Sequence, residues 1–201
     1  MNKLSLTLGV SALTLGLALT GCSAGTPSPT SDNNSSSAPG TSASPTDANT
    51  GDVMFVTMMI PHHQQAIEMS DIVLGKEGLD PRVADLAQQI QEAQGPEIER
   101  MLGWLEDWGV EYDPDSMDGM DHGGMDGMMS DDDMTALEES DGPEASKLFL
   151  EQMIAHHEGA VNMARVALDD AQNPEVLALA QQVIDDQTAE VTVMRDLLGD
   201  L

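Results

Sequence analysis

The 201-residue sequence predicts an all-α fold, a four-helix bundle made of two related helical hairpins. Hydrophobic residues from Phe55 to Val73 recur at alternating steps of four and three, which places them on one face of a helix. The same pattern returns from Phe149 onward, and LAQQI at 86–90 recurs as LAQQV at 179–183. Strand-type alternation is absent from the sequence. Because each hairpin has an apolar face to bury, we expect the two to pack into one bundle.

Residues 1–21 are typical of a bacterial lipoprotein signal peptide. A charged start at Lys3 precedes an apolar run that is too short to span a membrane. The run ends in LTGC, which looks like a lipobox, and Cys22 is the only cysteine in the chain. A single cysteine excludes an intramolecular disulfide and a cysteine-based zinc site. We therefore expect cleavage before Cys22 and lipid attachment to it; the alternative is an ordinary secretory signal with an incidental cysteine.

The composition after the signal peptide predicts a tethered domain outside the cytoplasm. Residues 22–50 are rich in Ser, Thr and Pro and read as a disordered tether, which would hold the domain 51–201 off the bacterial membrane. The formal net charge is −29. Such a chain repels nucleic acid and anionic membrane surfaces and concentrates cations. We expect no nucleic-acid partner and membrane contact through the lipid anchor only.

The remaining helices have recognisable starts. Asp80-Pro81 and Asn173-Pro174 open the second and fourth helices, because each combines an N-cap residue with proline at the first helical position. A long connection, 109–142, separates the hairpins. Its stretch from 116 to 134 is dominated by Met, Asp and Gly, and we expect no stable helix there.

Four of the five histidines lie in two matching pairs. The stretches MMIPHHQQAIEM and MIAHHEGAVNMA share the pattern Met-x-x-His-His-(x)5-Met, with Pro61 of the first copy replaced by Ala155 in the second. Folding the hairpin should bring His62 near Gln94 and Met59 near Glu97. The candidate metal ligands are Met59, His62, His63, Met69, Met153, His156, His157 and Met163, with Gln94, Glu97, Met101, Gln187, Glu190 and Met194 in support. A structural hydrogen-bond network is the alternative.

The connection between the hairpins contains a second group of candidate ligands. Methionines in an acidic, glycine-rich loop have no core to fill. The group consists of Met117, Met120, His122, Met125, Met128 and Met129. Thioether and imidazole together favour copper, Cu(I) in particular, with Cu(II) also accommodated. A low-complexity solubilising loop is the alternative.

The two histidine motifs and the stretch from Gln94 to Leu105 resemble the domain-of-unknown-function 305 family (DUF305). These are ferritin-like four-helix bundles whose characterised members include CopM-type periplasmic copper-binding proteins. The resemblance spans both hairpins, 52–108 and 143–199. It implies binding and sequestration of copper by the Met and His residues named above, with a role in copper homeostasis or resistance. Storage or delivery to a copper-transfer partner, and a homodimer, stay open.

Two other functions are weighed against copper binding. A ferritin-like di-iron oxidase needs carboxylates and Glu-x-x-His pairs from its helices, yet Met59 and Met153 stand three residues before His62 and His156. We therefore do not expect an enzyme. The other alternative is a structural or pH-sensing envelope lipoprotein without metal, because histidine titrates near neutral pH.

Overall fold

The computed structural model describes residues 47–113 and 127–201. These residues form five α-helices and no strand, which confirms the all-α prediction. The helices are α1 (Thr50–Leu74), α2 (Pro81–Asp107), α3 (Asp131–Glu139), α4 (Gly142–Asp170) and α5 (Pro174–Asp200). In this part of the chain none of them has both the length and the apolar character needed to cross a bilayer. The predicted signal peptide, Cys22 and most of the tether, with Met117, Met120, His122 and Met125, lie outside the described residues.

The four long helices pack as two hairpins, α1 with α2 and α4 with α5, which are joined through α1 and α4. α1 and α4 run antiparallel, because Gly51 approaches Asp170 at one end and Gly142 approaches Glu77 at the other. A Cβ atom on Gly142 would lie only 2.2 Å from the carbonyl oxygen of Glu77. The close approach of the start of α4 to the turn between α1 and α2 therefore requires glycine at this position.

The helix starts follow the sequence signals. Asp80 accepts a hydrogen bond from the backbone N–H of Arg82 at 2.8 Å, and Asn173 accepts one from that of Glu175 at 2.9 Å. Each is followed by proline, so both predicted N-caps are confirmed. α1 is capped by Asn49 and continues through Pro61 to Leu74.

α3 was not expected from the sequence. It begins at Asp131, so the expectation that no helix forms between 116 and 134 is wrong for the last four residues of that stretch. Ser130 and Asp133 form a capping box at its start, and three aspartates in its first turn interact favourably with the helix dipole. Leu137 is fully buried, and α3 packs on α1 and α4.

Candidate metal centre

The four paired histidines are buried where α1 and α4 cross. His62, His63 and His157 have no exposed surface, and His156 is 1% exposed. The ring centroids of His62 and His156 are 3.7 Å apart with a tilt of 41°, and those of His156 and His157 are 6.3 Å apart. The two sequence motifs thus form a single group, called here the histidine layer: His62, His63, His156 and His157.

A glutamate from the neighbouring helix holds one histidine of each pair. Nε2 of His63 lies 2.8 Å from Oε2 of Glu97 on α2, and Nε2 of His157 lies 2.6 Å from Oε2 of Glu190 on α5. We expected Glu97 beside Met59, but its hydrogen bond goes to His63. Since a carboxylate accepts, Nε2 carries a proton, and in the neutral form of the ring Nδ1 is then the nitrogen with the lone pair.

Nδ1 of His63 and Nδ1 of His157 lack a protein partner. Both atoms are buried and have no hydrogen-bond partner among the described residues. Gln94 and Gln187 occupy equivalent positions in the two hairpins. Their side-chain Oε1 atoms are also buried without a hydrogen-bond partner among the described residues. Buried polar atoms are normally paired, so a repeated set of unpaired ones points to a bound water or ion.

His156 is neutral at physiological pH. Burial lowers its pKa well below the ordinary value of 6.5, and the neighbouring His62, His157 and His63 lower the pKa further. A neutral imidazole is the form that binds metal ions. The layer therefore offers a metal ligand without having to release a proton from His156.

The predicted methionine ligands divide between two buried clusters on either side of the histidine layer. Each cluster takes methionines from both hairpins. The first contains Met59 and Met101, with Met163 packed against it, and the second contains Met69, Met129, Met153 and Met194. Ten residues of helix separate Met59 from Met69, roughly 15 Å along the axis. One ion therefore cannot bind both, and the eight predicted ligands do not form one coordination shell.

The end of the long connection is hydrogen-bonded to α1 beside the histidine layer. Gln65 of α1 donates from Nε2 to the carbonyl oxygen of Met129 at 2.9 Å and accepts from the Met129 N–H at 2.7 Å. Gly127, at φ +86°, lies so close to α4 that a Cβ atom would be 2.9 Å from Cα of Gly159. Of the predicted loop ligands that are described, Met129 is buried and Met128 is partly exposed.

The described histidine and carboxylate side chains do not form a metal centre by themselves. Within residues 47–113 and 127–201, no group of three or more His, Cys, Asp or Glu side chains is arranged to hold a metal ion. The sequence pattern indicates the histidines, methionines and glutamates but not Gln65. Its only sequence signal is that the equivalent position of the second hairpin is Gly159 rather than glutamine.

A family model for a domain of unknown function, DUF305, matches residues 52–198. This chain belongs to the DUF305 family. The match includes nearly all of the four long helices and both histidine pairs, so the predicted family membership is confirmed. No curated protein matches the sequence.

Solved DUF305 structures share the fold. A DUF305 protein from Streptomyces coelicolor is 34% identical with a TM-score of 0.68, the alignment covering 75% of this chain and 93% of that one. A DUF305 fragment from Deinococcus radiodurans is 32% identical with a TM-score of 0.67, covering 77% and 99%. CopM in its Cu(II)-bound form is 33% identical with a TM-score of 0.64, covering 74% and 96%. CopM has also been solved with Cu(I), with Ag and without metal.

Proposed function

We propose that this DUF305 protein binds and sequesters copper through the histidine layer and the methionines beside it. The observation that carries the proposal is the pair of buried Nδ1 atoms, one on His63 and one on His157, whose rings are held from the other side by Glu97 and Glu190. An unpaired buried nitrogen costs free energy that a bound metal ion would recover. The similarity to CopM, solved with Cu(I) and Cu(II), supports copper as the metal.

The two glutamates would act on the metal through the histidines. A carboxylate that accepts the Nε2–H fixes the ring orientation and makes the opposite nitrogen a stronger ligand, an arrangement common around metal-binding histidines. The same arrangement occurs in both hairpins, at 2.8 Å in one and 2.6 Å in the other. The layer would thus present two oriented imidazoles from opposite sides of the bundle.

Thioethers would select copper over zinc. Cu(I) is soft and accepts both imidazole and methionine sulfur, whereas zinc sites in proteins use thiolate, imidazole and carboxylate. Met59 and Met153 precede His62 and His156 by three residues, which places each on the same helix face as its histidine. We propose Cu(I) as the preferred ion and Cu(II) as the second. The other methionines would extend either side of the layer, and the loop methionines would form a separate, weaker site.

The cellular location is proposed from the sequence. The lipobox ending at Cys22 would anchor the chain to the outer face of a bacterial membrane, and the tether would leave the bundle free to meet copper in the envelope. This location fits a role in copper homeostasis or resistance, where the protein would hold copper before it reaches the cytoplasm.

The test is a comparison of Cu(I) and Zn(II) affinities in full-length protein, measured by competition with a chromophoric chelator. Replacing Met59, Met69, Met153 and Met163 by leucine keeps core volume nearly constant and usually costs under about 1.5 kcal/mol per site. We expect Cu(I) affinity to fall at least about tenfold, equivalent to about 1.4 kcal/mol, with Zn(II) affinity nearly unchanged.

The histidines are tested separately, by replacing the four residues of the layer with glutamine. Both metals should then bind more weakly, and circular dichroism should show that helicity is retained. A folded leucine variant that holds Cu(I) as tightly as the parent would show that the methionines are core filler. Histidine titration without tight copper binding would instead favour the metal-free, pH-sensing function.

A further inference from the structure

The two His–Glu pairs differ in their access to solvent, although they occupy equivalent positions. The Glu97 side chain is 12% exposed and that of Glu190 is 25% exposed. Each is bonded to a fully buried histidine. Each also lies where α2 and α5 face each other, because Glu97 is bonded to Gln182 of α5 and Glu190 lines a groove shared with α2. The two halves of the α2–α5 interface therefore differ in how far they expose their carboxylate.

On the Glu97 side, three residues close the surface. Gln182 of α5 donates to Oε1 of Glu97 at 2.9 Å, and a guanidinium nitrogen of Arg100 lies 3.8 Å from the same oxygen. The Arg100 guanidinium also sits 5.5 Å from the ring centroid of Trp104. A cation approaching here would meet the positive charge of Arg100 and a carboxylate that is already engaged by other groups.

On the Glu190 side, the equivalent residues leave a groove. Gln89 corresponds to Gln182, but it donates a hydrogen bond to the carbonyl oxygen of Asp85 in its own helix at 3.0 Å. Val193, which corresponds to Arg100, is 49% exposed, and Leu197 replaces Trp104. α2 and α5 barely touch, and a groove of about 310 Å³ between them is lined by Glu190, Val193 and Leu197 among others.

The charges along this groove suit a cation. Glu190 and Asp85 both line it. Arg82, which also lines it, is paired with two carboxylates and lies 2.9 Å from Asp80 and 3.5 Å from Asp200. Clefts lined by one sign of charge concentrate the opposite ion and raise its rate of association. The groove thus leads from acidic solvent-exposed groups to the carboxylate that holds His157.

We propose that copper ions approach the histidine layer through the groove between α2 and α5, attracted by the negative charge of Glu190 at the point where the groove meets the His157–Glu190 pair. The equivalent approach past Glu97 is closed by Arg100, Gln182 and Trp104. This inference rests on the proposed copper binding and adds a route to it. Ions enter past only one of the two His–Glu pairs, although the ligands themselves are duplicated.

The test is the rate at which metal-free, full-length protein takes up Ag(I), a redox-stable soft monovalent probe, in stopped-flow competition with a chromophoric chelator. The kinetic phase that disappears in the His156→Gln variant is assigned to the histidine layer. Val193→Arg and Leu197→Trp each place in the groove the residue type that closes the other side. Both should slow that phase about tenfold, within the range expected for electrostatic and steric access, with equilibrium affinity changed less than about threefold.

Arg100→Val is the matched control, since it removes the closing charge at the equivalent position and should not slow uptake. Circular dichroism checks that every variant folds. Uptake at the parental rate in both groove variants, or slowing by Arg100→Val instead, would overturn the route while leaving copper binding intact. A parent protein without tight Ag(I) or Cu(I) binding would overturn the proposed function and the route with it, so equilibrium affinity and rate separate the two failures.

Discussion

Burial keeps the His156 imidazole neutral, and this gives the metal-free protein a defined pH dependence. Its pKa in the folded state lies well below 6.5, chiefly because the ring is desolvated, whereas the unfolded chain has the ordinary histidine pKa of about 6.5. As pH falls below that value, the unfolded state binds a proton that the folded state does not. The contribution of His156 to stability is therefore present above the unfolded pKa and is lost as pH falls toward the folded pKa.

We accordingly predict that His156→Gln makes stability less sensitive to acid. The free energy of unfolding of the parent should fall with pH more steeply than that of the variant, by about 1.4 kcal/mol per pH unit below 6.5. Denaturant titrations at several pH values, with a chelator present to remove metal, give this difference. Contributions from the many carboxylates are common to both proteins, so parallel curves would show that His156 is not held neutral.

The glutamates show where residue-level prediction stops. The sequence indicated that the interior Glu97 and Glu190 meet the ligand layer, but not which side chain each one contacts. Adjacent helical residues point about 100° apart, so a small rotation of α1 decides whether His63 or Met59 faces Glu97. The spacing of residues along the sequence determines neither that rotation nor the histidine tautomer that follows from it.

At the scale of the elements, Gln65 connects α1 to the segment that enters α3. Its side-chain amide makes two hydrogen bonds to the backbone of Met129. Gln152 of α4 adds a third to the same region, donating to the carbonyl oxygen of Asp133 at 2.9 Å. Two long helices thereby hold one short segment beside the histidine layer, and this attachment can be removed without replacing any proposed ligand.

We predict that Gln65→Leu loosens this segment. Two backbone groups lose their partners, at about 1–3 kcal/mol in total if they stay partly buried, and amide hydrogen exchange at Met129 and in α3 should accelerate. Gln64→Leu is the matched control, because Gln64 is exposed on the same helix. Equal exchange in the two variants would mean that packing of Leu137 and Met129, rather than Gln65, holds the segment.

The helices themselves were largely predictable, and α3 was not. The repeated hydrophobic spacing and the starts at Asp80 and Asn173 specify the long helices, because amphipathic periodicity and N-caps are local properties of the chain. α3 is only nine residues long, too short to be stable alone. Its stability comes from burial of Leu137 against α1 and α4, which no local pattern reveals.

At the scale of the whole molecule, the proposed anchor predicts where the protein is found. Cys22→Ser removes the thioether attachment point, so lipidation should be lost. Fractionation should then release the protein from the membrane or leave the signal peptide uncleaved. A cleaved Cys22→Ser protein that still requires detergent for extraction would reject lipid anchoring, and the parent protein in the same fractions is the control.

The crossing of α1 and α4 has a further consequence for how the two halves can evolve. In an assembly of two identical hairpins, every substitution would appear in both copies. The surfaces beside the two His–Glu pairs would then both be open or both be closed. A single chain carries each position in two separately mutable copies: Arg100 faces one side and Val193 the other, Gln65 is matched by Gly159, and Pro61 by Ala155. The shared ligand layer keeps the symmetry of the repeat, while the residues around it differ between the two copies.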